Sequence, residues 1–157
     1  MSGTPRGGAA VGRLADLAPV EAGAVMYLRM WSDGAHSRAD AASDFDLALG
    51  RGPGQSATST LEQICALCAS HGRRPLIRHG LGCSCLGADE SCFAQMIGAA
   101  ADGQHEDAMM MAALIVRPDF APSLAALSQQ FGLALRRMTL PFQHGRVTHS
   151  PSPSVLH

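Results

Sequence analysis

Lysine is absent: all twelve basic residues are arginine. With 17 glycines and abundant alanine, that bias points to a GC-rich bacterial coding sequence. Aromatic residues make up only 4%, against 46% apolar residues in total. A core of Ala, Leu, Ile, Val and Met suits packed helices, and it argues against a β-sandwich, whose strands favour β-branched and aromatic side chains. No run of about 18 apolar residues occurs, which argues against a membrane-spanning helix. The opening MSGTPRGGAAVGRLADLAP has no unbroken apolar stretch, because Arg13 and Asp16 interrupt it. No secretory signal is therefore expected, and the cytoplasm is the expected compartment. A formal net charge of −1 argues against a protein-wide field for nucleic acid. Five cysteines, an odd number in a reducing compartment, point away from a disulfide framework.

What is present reads as one helical domain, since 157 residues fit a single domain plus tails. Residues 1–18 are small, Gly-rich and without period, and a disordered or loosely docked segment is expected there. Pro19 suits a first helical position, and PVEAGAVMYLRMWS places Val25 and Leu28 on one side. A helix over residues 39–49 is expected to stop at Gly50. GRGPGQSAT, residues 50–58, has the composition of a linker. Ser59 and Glu62 fit a capping box, opening a helix whose stripe is Leu61, Ile64, Cys65 and Cys68. Gly72 ends it, and the Gly-punctuated loop GLGCSCLGA leads to a helix beginning near Asp89. His105 to Val116 is apolar almost all round after Asp107 and predicts a central, buried helix. A last helix is expected from Pro122 to Met138, and residues 141–157 form a Pro/Ser-rich tail read as disordered. The expected architecture is all-α: a bundle of five or six short helices over residues 19–140, its core over 59–138, with a Gly/Cys-rich loop and disordered termini.

Chemistry-bearing residues concentrate between Cys65 and Cys92, a stretch holding all five cysteines, His71, His79, Arg73, Arg74 and Arg78. Cys65 and Cys68 share a helix face, which suits half a metal site or a dithiol, but the apolar stripe already explains both. Cys83 and Cys85 lie in a loop where no periodicity calls for an apolar residue. With His79 and Cys92 they have the ligand types of a Cys3His site, with Zn²⁺ the expected ion. The spacing matches no common zinc motif. Cys65 and Cys68 are the second-choice ligands, and an iron–sulfur cluster has less support. Cys92, in a first helical turn, is a candidate nucleophile with His79 or His71, opposed by the neighbouring Asp89 and Glu90.

Arg73, Arg74 and Arg78 form a basic patch suited to carboxylate or phosphate, either from a partner or from Asp102, Glu106 and Asp107 within the chain. No helix carries the basic and amide residues expected at base edges, so nucleic acid is disfavoured. Met109, Met110 and Met111 point about 100° apart on a helix and cannot converge on one ion, so core filling is expected. Three functional expectations result. The first is a cytoplasmic binding or regulatory module with zinc in the 79–92 loop and an arginine patch for an anionic ligand or protein partner. The second is a thiol redox protein using Cys83/Cys85 or Cys65/Cys68. The third is a structural interaction module with inert thiols, homo-oligomerisation being open.

Overall fold

The computed structural model describes residues 6–148. Six helices account for most of them: α1 (Pro19–Ser32), α2 (Ala35–Leu49), α3 (Arg51–His71), α4 (Ala88–Ala101), α5 (His105–Ile115) and α6 (Ala121–Thr148). Two short strands, β1 (Ala10–Arg13) and β2 (Cys85–Gly87), pair antiparallel. The fold is mostly α, as composition predicts. No helix among the described residues is long and apolar enough to cross a membrane.

Pro19 opens α1 at the position where a missing N–H costs nothing. Gly50, at φ 88°, ends α2 in a conformation that L side chains rarely adopt. The expected linker is instead the start of α3. Gly54, Ala57, Leu61, Ile64 and Cys68 are all buried and continue one stripe at alternating spacings of three and four. The stripe begins with small residues because α3 runs close against α2 there. A Cβ on Gly54 would lie 2.6 Å from the Asp46 Cα. Ser59 is therefore inside the helix rather than capping it, and its Oγ accepts from Gln63 Nε2 at 3.1 Å.

The central helix is α4, not α5. It packs against α1, α5 and α6, and Phe93, Met96 and Ile97 are fully buried. Phe45 of α2 and Phe131 of α6 meet edge to face at 5.9 Å in the same core. α5 buries Ala108, Ala112 and Ile115 but exposes Met109 and Met110. Ala108, Ala112 and Ile115 form the packed face with Met111 beside them, while Met109 and Met110 face outward, so an all-round apolar sequence does not make this helix central.

The N-terminal segment expected to be disordered or loosely docked is structured from Arg6 onward. β1 pairs with β2 in the register Ala10↔Gly87 and Arg13↔Cys85. Leu14 and Leu17 pack against a small cluster of Val25, Leu86 and Ala94. The pairing partner lies about 75 residues downstream, so no local pattern announces it. The remainder of that expectation, residues 1–5, lies outside the described residues. At the other end α6 continues past Met138 to Thr148. Of the tail expected to be disordered, residues 149–157 lie outside the described residues.

Candidate functional site: a clamped loop and the cleft beside it

The segment between α3 and α4 contains only the three residues of β2 as regular structure, so its backbone groups need partners from elsewhere. Two acids in the first turn of α4 and one arginine of α1 supply them. Arg29 is buried, 2% exposed, and uses all five of its N–H groups. Nε and Nη2 donate to the Glu90 carboxylate at 2.7 and 2.9 Å. Nη1 donates to the Gly80 and Cys83 carbonyls at 3.2 and 2.7 Å, and Nη2 also to the Cys85 carbonyl at 2.7 Å. Glu90, 0% exposed, accepts in addition from the backbone N–H of His79 at 3.1 Å and of Gly87 at 3.0 Å. Burial opposes its charge, but the Arg29 hydrogen bonds and the two amides outweigh that and hold its carboxyl below the ordinary range. Beside it, Asp89 takes a bidentate pair from Arg74 at 2.7 and 2.6 Å and the Ile77 N–H at 2.8 Å.

These contacts decide what the expected metal ligands do. Among the described residues, no three or more His, Cys, Asp or Glu side chains are placed to hold a metal ion, so the Cys3His zinc site is not formed. His79 sets Nε2 3.0 Å from the Gly8 carbonyl and Nδ1 3.8 Å from the Cys83 sulfur. Cys85 is exposed on β2. Cys92 packs against the main core, and burial followed by the Asp89 charge pushes its thiol up, away from a nucleophile. Cys65 and Cys68 sit on the inner side of α3, where burial pushes their thiols up to about 11 and about 12. The zinc-module reading is corrected accordingly: the loop is organised by carboxylates and a guanidinium acting on backbone groups. His71 stacks on Phe120 with ring centroids 3.6 Å apart.

The three arginines of the expected patch separate. Arg74 is committed to Asp89. Arg73 is exposed, and its Nε donates to the Ala113 carbonyl at 2.6 Å. Arg78 lies on the rim of a cleft of about 440 Å³ formed by α1, α2, α3 and the extended segment before His79. The acids expected to satisfy the patch do not, and Asp102 pairs with Arg136 instead.

Leu28, Trp31, Cys65, Cys68 and Leu76 give the cleft an apolar lining. Arg38 also lines the cleft, its Nε on the Trp31 carbonyl at 2.6 Å and its guanidinium 5.4 Å from the centre of the Trp31 ring. Neither Arg38 nor Arg78 joins an ion pair among the described residues. Both guanidiniums act on the Cys65 thiol, but burial dominates and keeps it protonated. Glu62 also lines the cleft, leaving two positive groups against one negative.

Arg29, Glu90 and Arg38 belong to no motif, and none of them is expected at a site from the sequence. Arg29 does leave a signal: it stands four residues after Val25 and next to Leu28, within the apolar side of α1. A charge in such a stripe requires a buried partner. No family model, curated protein or solved structure matches the chain.

Proposed function

We propose that the protein is a binding module whose cleft takes a small organic anion with an apolar body. The observation that carries this reading is the pair Arg38 and Arg78, two guanidiniums outside any ion pair among the described residues, on the rim of an apolar-lined cleft. Guanidinium forks suit a carboxylate, and the Trp31, Leu28 and Leu76 walls suit a hydrocarbon chain or ring. The protonated Cys65 thiol serves as wall rather than nucleophile.

The experiment is a titration with octanoate, with octanol as the uncharged control. Trp31 is the only tryptophan in the chain, so intrinsic fluorescence reports on the cleft itself. Octanoate is expected to change Trp31 emission saturably. Arg78→Ala is expected to weaken it about tenfold, the worth of one charge-assisted hydrogen bond, with octanol unaffected. Octanol binding as well as octanoate would remove the role given to the arginines. The absence of any saturable signal, checked by calorimetry, would remove the cleft as the site.

A further inference from the structure

The outer face of α5 is apolar without a covering element: Met109 is 39% exposed, Met110 59% and Leu114 67%. With His105, Glu106 and Ala113, the two methionines form a shallow hollow of about 400 Å³. The face is charged in opposite senses at its two ends. Glu106 and Asp107 lie in the first turn. At the far end are Arg117, exposed just beyond the helix, and Arg73, held on the Ala113 carbonyl. None of these four belongs to an ion pair among the described residues.

We propose that this face pairs with a second copy of the chain, the two α5 helices running antiparallel about a two-fold axis. A two-fold contact must be self-complementary, and one register satisfies this along the whole face. With the axis between Met111 and Ala112, Met109 opposes the partner's Leu114, Met110 opposes the partner's Ala113, and Glu106 opposes the partner's Arg117. The partner's Arg73 flanks the same acid. Large side chains thus meet small or flexible ones in the middle, and opposite charges meet at both ends. Antiparallel packing also sets the helix dipoles against each other favourably. The parallel alternative places Glu106 beside its own copy and repels. One helix face of this length buries less than the ~800 Å² per partner of a standard stable interface, so the dimer is weak and concentration-dependent. Neither the octanoate cleft nor its arginines take part, and the two readings stand or fall separately.

Sedimentation equilibrium of the full chain, kept reduced so that the exposed Cys85 forms no disulfide, from about 10 µM to 1 mM, tests this. A monomer–dimer equilibrium is expected within that range. Met110→Glu should raise the dissociation constant at least tenfold. Glu106→Arg and Arg117→Glu should each weaken the dimer, and the double swap should restore it to within about threefold of the original. All these side chains are exposed, and circular dichroism checks that each variant folds. A monomer up to 1 mM overturns the proposal. So does indifference to Met110→Glu, or a double swap no tighter than the single changes, because only this register brings Glu106 to Arg117.

Discussion

Arg29→Met is the most informative single change. Methionine keeps much of the stem's bulk and removes five donors. Three of the stranded acceptors, the carbonyls of Gly80, Cys83 and Cys85, lie on a half-exposed loop where water can replace the guanidinium. Glu90 has no such exit, being fully buried. It must stay charged and unpaired or take up a proton. Protonation caps the cost: from an ordinary pKa of about 4.3, keeping the acid form at pH 7 costs about 4 kcal/mol at 1.36 kcal/mol per unit. That is a large share of the 5–15 kcal/mol that typically stabilises a domain. The variant's pH dependence has a definite sign. Without Arg29, burial raises the folded pKa of Glu90 above its unfolded value, so the deficit is small below about pH 4 and grows as pH rises towards that folded pKa. In the original protein the carboxyl is depressed, so its contribution is present above about pH 4 and lost as pH falls through the folded value. Urea unfolding at pH 5 and pH 7 separates the two. The deficit of Arg29→Met should be larger at pH 7 by up to about 2.7 kcal/mol. Adding Glu90→Gln should recover at least about 1 kcal/mol at pH 7, since the neutral amide needs no proton uptake and its single oxygen still accepts from one of the two backbone N–H groups, His79 or Gly87. A deficit below about 1 kcal/mol, or one independent of pH, would refute the clamp.

Two further outcomes are expected. Gly54→Val should destabilise by about 1–3 kcal/mol in urea unfolding through overpacking against α2, whereas Gly52→Ala, whose added methyl would meet nothing within 4 Å, should be neutral or stabilise by up to about 1 kcal/mol; the reverse order would mean that α2 and α3 are not in close contact. In Ellman titration of the folded protein at pH 8, Cys85 should react first and Cys65 and Cys68 last, since a thiol at about 11 is about one part in a thousand thiolate there; mass spectrometry of the labelled peptides reads the order, and fast labelling of Cys65 would contradict its burial.

Fold class was legible because it follows from composition and period. α1 has the expected ends, Pro19 and Ser32, because a proline at N1 and the Asp33-Gly34 turn are local signals. α3 was half hidden because its first turns pack through Gly54 and Ala57, and a stripe of small residues looks like a linker to any reading based on bulk hydrophobicity. The error over α5 has the opposite cause. Met109, Met110 and Leu114 are apolar but lie outward, and periodicity cannot separate a buried side from an uncovered one. The strand pair was invisible because β1 and β2 are short and far apart in sequence.

The loop between α3 and α4 is held in place, but not by its thiols. Cysteine and histidine drew attention as ligating side chains, yet the groups that organise the loop are the plain charges Arg29, Asp89 and Glu90 acting on backbone atoms. Their arrangement bears on the cleft through chain connectivity. Arg78 lies between Ile77, whose N–H is held by Asp89, and His79, whose N–H is held by Glu90. Both of its neighbours are thus fixed to the first turn of α4, which belongs to the most buried helix of the bundle. A rim arginine anchored this way starts from a restrained backbone, so less ordering entropy opposes ligand capture than for the same side chain on a free loop. The charges that close the loop are therefore also what restrains the backbone of Arg78, the residue proposed to meet the anion.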